Sequence, residues 1–467
     1  PSMVGYKDLL RTWNPTALDP AALTNTYYNA GARFVMVQGV HHDQFDNWNS
    51  KYQPWNSMNL GPKRDILGEW KAAIRAKGMR FGVTFHHEYT WWWWQSAYRA
   101  DTATTYGKQG VPYDGNLTTD PVTALGTGQW WEGMDLRKLY TINLREYIAI
   151  ADAMDKSGYN LSKGIFGNHL SFAHWYATWW ALRILDVIEN YDPDFIYTDG
   201  NSTQPFSGYK SGSGYKCDAM QRVLAHYYNR TLERRGSVDT FGIVKFNPST
   251  RGIVNTFENN YPSGIKTDQP WIGEVPIGDW FYASGFNYDP GMVVRYLLEC
   301  VSRDGAAAIN VALKPDGSLD PGSVTQLQKV GDWMAINGAG IYGSRAWNLW
   351  GEGTNTLPTG KLGNTQANKA FATHDFRYTG GADGYLYAYC MTVPAGGAQL
   401  TFTALGKTDN NLAGPITSVE LLGSNSTLTW SQTDTDLTNT CPASMSSFKI
   451  AVSFMTGPTS IWRASPP

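Results

Sequence analysis

The sequence predicts an α/β protein: a TIM-like (β/α) barrel, divergent or N-terminally incomplete, followed by a C-terminal antiparallel β-sandwich. Three observations lead there. Helix-spaced and strand-like apolar segments alternate from about residue 17 to residue 337. Titratable residues gather where strand segments end, at His41-His42-Asp43, His86-His87 and Asp199, and the C-terminal ends of barrel strands are where chemistry is built. Beyond Trp350 the apolar period falls to two, without helical runs. The expected division is residues 1–353 for the barrel domain and 354–467 for the sandwich.

The elements follow in chain order. Residues 17–31 place Ala21, Ala22, Leu23, Tyr27 and Tyr28 at helical spacing before Gly31, and ARFVMVQGV (32–40) reads as a strand. After a loop rich in Trp, Asn and Pro, a helix is expected over 61–78, with Pro62 in its first turn and Ile66, Trp70, Ala73 and Ile74 on one face. MRFGVTFHH (79–87) is the next strand. Residues 88–140 form a long irregular stretch that includes Trp91–Trp94, and loops of that length are usually functional. Helices are expected over 141–157 and 175–191, the second marked by Trp179, Leu182, Ile184, Leu185 and Ile188.

Tyr191-Asp192-Pro193 ends that helix, because proline cannot continue it, and DFIYTDG (194–200) supplies a short buried strand. Asp199 would stand at its exit on a stiff support, with Gly200 letting the backbone turn away. Then come a polar loop (201–215), a helix (216–236) and the strand TFGIVKFN (240–247). Residues 248–280 read as mostly loop and carry Arg251, Glu258, Trp271 and Glu274. A helix (291–303), a strand (306–313) and a helix (322–337) complete the alternation, giving five or six strands. The Gly-rich phosphate turn typical of open doubly wound sheets is not seen after the first strand. From about residue 370, period-two pairs such as Leu386/Ala388, Leu400/Phe402, Val419/Leu421 and Ile450/Val452 predict the sandwich.

Composition narrows the function. The 467 residues are 42% hydrophobic and 17% charged, as in a folded protein of more than one domain. Net charge is −2 with no run of like charges, which argues against nucleic acid or an anionic membrane surface as partner. No apolar stretch is long enough to span a bilayer. Aromatics reach 14%, with 20 Trp and 27 Tyr, and this excess leans towards carbohydrate, since ring faces pack on sugar C–H faces. Cys217, Cys300, Cys390 and Cys441 lack metal-ligand spacing; a Cys390–Cys441 disulfide and free buried thiols both remain open. Asn-x-Ser/Thr triplets at Asn116, Asn160, Asn201, Asn229 and Asn425, with no signal-peptide pattern at the start of the chain, lead to the expectation of a mature secreted protein. Adjacent histidines on a strand point to opposite faces, so each pair offers one inward ligand; hydrogen bonding to a polar ligand is favoured over metal.

The stretch HHDQFDNWNSKYQPWNSMNLGPKRDILGEW (41–70) resembles the family 29 α-L-fucosidases, whose members carry His-His-Asp-x-Phe, Ser-Lys-Tyr, Trp-Asn-Ser and Gly-Pro-Lys-Arg-Asp in that order. PDFIYTDG (193–200), VSRDGAAAINVALKPDGSLDP (301–321) and NGAGIYGSRAWNLWGEG (337–353) agree with later stretches of the same family. The resemblance implies retaining hydrolysis of terminal α-L-fucose without a cofactor, on a fucosylated oligosaccharide or glycoconjugate. Asp199 would be the nucleophile, and a retaining site needs a second carboxyl about 5–5.5 Å away to protonate the leaving oxygen.

By the same resemblance Glu258 (in NTFENNYP) is the favoured acid and Glu274 (in PWIGEV) the alternative, a position often read as supporting the site. His41 and His42 match the pair that holds fucose hydroxyls; His86 and the run Trp91–Trp94 would border the mouth, with Trp91 or Trp92 able to stack on the sugar. Arg251 falls near an arginine that relatives keep by the nucleophile, and Tyr197 stands where relatives tend to have Trp. The family's Gly-x-Phe-x-His-Trp-Gly strand and Glu-Trp-Tyr segment are not found, so the usual 4-hydroxyl contacts are expected to be missing or built differently. Two other readings remain: a related retaining hydrolase of fucan or another 6-deoxy sugar, and a catalytically silent carbohydrate-binding protein.

Overall fold

The computed structural model describes residues 5–88, 90, 97, 125–141, 170–199, 219–245, 252–286, 289–360, 370–412, 414–443 and 452–456. Trp91, Arg251, most of the 88–140 loop, nearly all of the helix expected over 141–157 and the 201–215 loop lie outside these residues. The chain divides into two compact units, residues 1–24 with 33–255, and residues 25–32 with 256–467.

The first unit is built on parallel strands in sequence order: β1 (Phe34–Val40), β2 (Arg80–Phe85), β3 (Phe195–Thr198), β4 (Phe241–Val244) and the start of β5 (Ile253–Glu258). Helices α1 (Tyr6–Thr12), α2 (Pro20–Asn29), α3 (Ile66–Ala76), α4 (Arg137–Tyr140), α5 (Leu170–Tyr191) and α6 (Ala219–Arg235) accompany them, α2 running on into the second unit. Alternation of helix with parallel strand follows the predicted pattern closely.

The junction into β3 shows why this sequence folds so. Asp192 takes a left-handed φ of 46° just ahead of Pro193, which ends α5. Buried Asp194 then receives the Phe81 N–H on Oδ2 at 2.7 Å, while its own N–H donates to Phe81 O at 2.7 Å. Arg75 and Arg235 neutralise its charge at 2.8 and 2.9 Å. The apolar run Phe195–Tyr197 continues from this clamp, with the Phe195 ring stacked on Phe241 at 5.1 Å. Gly82 is required opposite: a Cβ there would fall 2.0 Å from Phe195 Cε2.

The register levels the strand exits. Phe85 pairs with Thr198 and Thr198 with Val244. Beyond the strands the ladder continues, with His86 N donating to Val40 O at 3.0 Å, Asp199 N to Phe85 O at 3.0 Å and Lys245 N to Thr198 O at 3.1 Å. Three side chains with chemistry are thus set next to one another by backbone pairing.

The second unit takes the end of β5, then β6 (Trp271–Pro276) and, parallel to it, β7 (Ala306–Asn310), with α7 (Pro290–Val301) and α8 (Pro321–Asn337). The strand order of the parallel sheet is β1 to β7 throughout. Next come β8 (Arg345–Glu352), β9 (Phe376–Gly380), β10 (Tyr385–Cys390), β11 (Gln399–Phe402), β12 (Ile416–Leu421), β13 (Thr429–Gln432), β14 (Leu437–Thr440) and β15 (Val452–Thr456). They form two antiparallel sheets, ordered β12-β15-β10-β9-β8 and β11-β14-β13. One apolar cluster draws on both, including Phe376, Leu386, Leu400, Phe402, Val419 and Leu437. Buried Glu299 is held by Arg303 and Arg377 at 2.5 and 2.7 Å, the two guanidinium groups lying over Trp350.

Two expectations need correction. Residues 252–280 are for the most part loop, as expected, but they also hold β5 and β6, hidden in the sequence because Asn255, Thr256, Gly273 and Glu274 interrupt any apolar run. The parallel sheet accordingly has seven strands, not five or six. The helix expected from residue 61 begins at Ile66, since Gly61 and Lys63 adopt left-handed φ of 59° and 53° and the Asp65 side chain caps Gly68 N at 3.0 Å. Cys300, Cys390 and Cys441 are buried free thiols, which settles the question left open for the last two. No described helix is long and apolar enough to cross a membrane.

Candidate active site

The first unit gathers most of the predicted site residues that are described. Asp199 follows the last residue of β3 and is buried except for about a tenth of its surface. Lys245 follows β4, and its Nζ lies 3.0 Å from Asp199 Oδ1. On the other oxygen, His42 Nε2 stands 3.9 Å from Oδ2, close but beyond hydrogen-bond length.

The imidazoles form a cluster. His41 stacks on His86 at 4.5 Å and meets His42 edge-on at 4.3 Å, and His86 stacks on buried Tyr197 at 5.6 Å. Burial, then the neighbouring His86 and His42, push His41 down to about 2. Burial, then His42 and Lys245, push His86 down to about 3. Burial also lowers His42 against the opposing pull of Asp199. The three rings are therefore neutral at ordinary pH and can donate and accept hydrogen bonds without adding charge. Among the described residues no group of three or more His, Cys, Asp or Glu has the arrangement of a metal site.

The stretch 41–70 serves mainly as a frame for this cluster. Asp43 Oδ1 accepts from Phe45 N at 3.2 Å while Gln44 takes a φ of 63°, an Asx turn that re-aims the chain after His42. Burial raises Asp43 to about 6. Arg183 of α5 donates from Nε and Nη2 to the two oxygens of Asp46 and from Nη1 to Gln44 Oε1, all fully buried. Trp48 Nε1 and Lys51 N both donate to Asp186 Oδ2, at 2.9 and 3.1 Å. The loop is thereby pinned to the helix that delivers β3.

Two residues that motif reading passed over stand beside Asp199. Lys245 is one; its signal was its place directly after a predicted strand. Glu88 is the other, following His86-His87. It is 1% exposed, and neither carboxylate oxygen finds a hydrogen-bond partner among the described residues. Burial, with repulsion from Asp199, raises it well above the ordinary carboxylate range. Its protonated form is therefore favoured, near a carboxylate that is paired with an ammonium.

The remaining predicted residues divide as follows. Glu258 closes β5 half-buried and Glu274 lies buried within β6, both in the second unit, where Asn259 N donates to Glu274 O at 2.7 Å. Trp91 and Arg251 fall outside the described residues.

A carboxylate at the exit of a parallel strand, paired with lysine and bordered by neutral imidazoles, defines the class: a parallel α/β protein with its polar site at the C-terminal strand ends. The family follows from comparison. The family described as Alpha-L-fucosidase matches residues 1–339, and the chain belongs to it. The rat tissue α-L-fucosidase is 23% identical over 367 residues, covering 76% of this chain and 62% of the relative. The human plasma α-L-fucosidase is 21% identical over 359 residues, covering 74% and 60%. The chain thus spans about three fifths of the length of these relatives. Among solved structures, the Thermotoga maritima α-fucosidase in complex with a mechanism-based inhibitor matches with a TM-score of 0.63 at 18% identity, over 97% of this chain and 82% of that one. A Bacteroides thetaiotaomicron α-L-fucosidase trapped as a covalent intermediate matches with 0.59 at 16% identity, over 96% and 84%. These structural likenesses bear on the fold.

Proposed function

We propose that the chain is a retaining exo-α-L-fucosidase that releases terminal α-L-fucose from a fucosylated oligosaccharide or glycoconjugate through a glycosyl-enzyme on Asp199. The observation that carries this reading is the position of Asp199, rigid at a strand exit, with His42 on one oxygen and Lys245 on the other.

The chemistry runs in two displacements. A carboxylate oxygen of Asp199 attacks the anomeric carbon as the bond to the leaving oxygen breaks and an acid protonates that oxygen. Water then attacks the same carbon, its proton passing to the conjugate base of the acid, and the bonding pair returns to the Asp199 carboxylate. His41, His42 and His86 hold sugar hydroxyls as neutral imidazoles, so they do not compete with the positive charge developing at the ring. Trp91 stacks on the sugar, and Tyr197, Arg251 and Glu274 border or support the site in the same proposal.

Glu258 is the proposed acid on the strength of its motif, with Glu274 as the alternative. Glu88 is a second reading for the acid, favoured by one observation: its surroundings keep a proton on it close to Asp199. The fold proposed with this function is a (β/α) barrel over residues 1–353 and a β-sandwich over 354–467. Secretion is proposed as well, supported by exposure of the glycosylation triplet Asn425-Ser426-Thr427.

The test is turnover of an aryl α-L-fucoside by wild type and Asp199→Ala. Clear release of the aryl alcohol by wild type and nearly none by the variant is expected. Equal rates would remove Asp199 from the mechanism, and no turnover by wild type would reject the activity.

A further inference from the structure

Lys245 neither attacks the sugar nor protonates the leaving oxygen, yet its ammonium is the closest described cation to the reacting carboxylate. Its placement is not accidental to the fold. The Lys245 N–H continues the β3–β4 ladder onto Thr198 O, one residue before Asp199, so backbone pairing fixes both Cα positions. Lys245 is nine-tenths buried, and the charge of a buried lysine requires a partner. The partner is one specific oxygen, Oδ1 at 3.0 Å, which leaves Oδ2 turned towards His42.

We propose that Lys245 is a positioning residue for Asp199, fixing which carboxylate oxygen bonds to the sugar and assisting departure of the sugar from it. The proposal rests on the retaining reading above. Oδ2 becomes the ester oxygen, and Oδ1, held by the ammonium, becomes the carbonyl oxygen of the glycosyl-enzyme.

The two displacements then respond differently to the lysine. In the first, Asp199 begins fully charged beside the ammonium and gives up part of that charge in the transition state, so the ion pair stabilises the ground state more than the transition state. In the second, the ester begins neutral. As the bond from C1 to Oδ2 breaks, its electron pair returns to the carboxylate and negative charge develops next to Nζ. Water supplies the new bond to C1 and surrenders its proton to the general base. Lys245 is therefore an accelerator of the second step. With about half a charge regained and shared over both oxygens, at an effective separation of about 4 Å and an effective dielectric near 20, removing the ammonium slows that step about 30-fold. The first step is slowed only by whatever orientation is lost.

Among the described residues, the neighbours do not replace it. His41, His42 and His86 face the same pair and are neutral, while Glu88 bears its proton.

The experiment compares wild type, Lys245→Met and Lys245→Arg on an aryl α-L-fucoside with a good leaving group, in the steady state and in the first turnover. For Lys245→Met, kcat falls about 30-fold while kcat/KM falls much less, so KM drops. A burst of aryl alcohol equal to the enzyme concentration precedes the slow steady rate. Lys245→Arg, which keeps the charge, recovers most of kcat. Should Lys245→Met fail to fold, Lys245→Gln, polar and of similar length, gives the same reading. Parallel losses in kcat and kcat/KM with no burst would overturn the proposal and leave Lys245 a structural ion-pair partner. That result is distinct from failure of the fucosidase reading, in which wild type itself would show no turnover.

Discussion

Replacing Glu88 with glutamine should make the protein more stable, and increasingly so as pH rises. Glu88 is 1% exposed, lacks a described hydrogen-bond partner and stands near Asp199, so its charged form is disfavoured in the fold. In the unfolded chain it loses its proton near its ordinary value of 4.5. Between that pH and its raised value in the fold, the native state binds one more proton than the unfolded state. Stability is thus fully present below about pH 4.5 and is lost as pH rises, by about 1.4 kcal/mol per pH unit, for as long as the folded carboxyl keeps its proton. Glutamine mimics the neutral acid in shape and does not titrate. Urea unfolding of both proteins at about pH 4.5, 5.5 and 6.5 reads the effect directly. The variant's advantage should widen steadily as pH rises across that range. A difference independent of pH would show that Glu88 is ionised in the fold, and the picture of a protonated acid beside Asp199 would be wrong.

Two further outcomes are expected. Arg183→Met leaves Asp46 buried without its guanidinium and should cost about 3–5 kcal/mol in urea unfolding, whereas pairing it with Asp46→Asn should recover part of that loss; a cost below about 1 kcal/mol would contradict the pinning of residues 41–70 by α5. Glu258→Gln, if it removes the acid, should abolish cleavage of substrates with poor leaving groups and spare an activated aryl fucoside in the first step; if Glu88→Gln shows that pattern and Glu258→Gln does not, the acid assignment moves to Glu88.

Much of this organisation can be read from residues alone, for identifiable reasons. β3 is legible because β-favouring Phe195, Ile196 and Tyr197 follow a turn that proline enforces. Asp199 and His42 are legible through position, at the ends of segments whose period is clear. β5 and β6 are not, because each is short and carries polar residues that break the pattern, although backbone pairing makes both strands. Lys245 and Glu88 escape motif reading for another reason. A lysine after a strand and a glutamate after two histidines look like ordinary surface residues until the register of β2, β3 and β4 brings the exits level. The turn at 41–70 carries the opposite lesson. Its motif density reads as chemistry, whereas Asp46, Trp48, Lys51 and Asp65 there make structural contacts that hold His41 and His42 in place.

Trapping the glycosyl-enzyme tests the central claim most directly. Incubation with a 2-fluoro-fucosyl fluoride, followed by proteolysis and mass spectrometry of the peptides, locates the covalently bound sugar. A single 2-fluorofucosyl adduct on the peptide containing Asp199, absent from Asp199→Ala, is the predicted result. An adduct on any other carboxylate, or rapid hydrolysis of fucosides with Asp199 never labelled, would contradict the account.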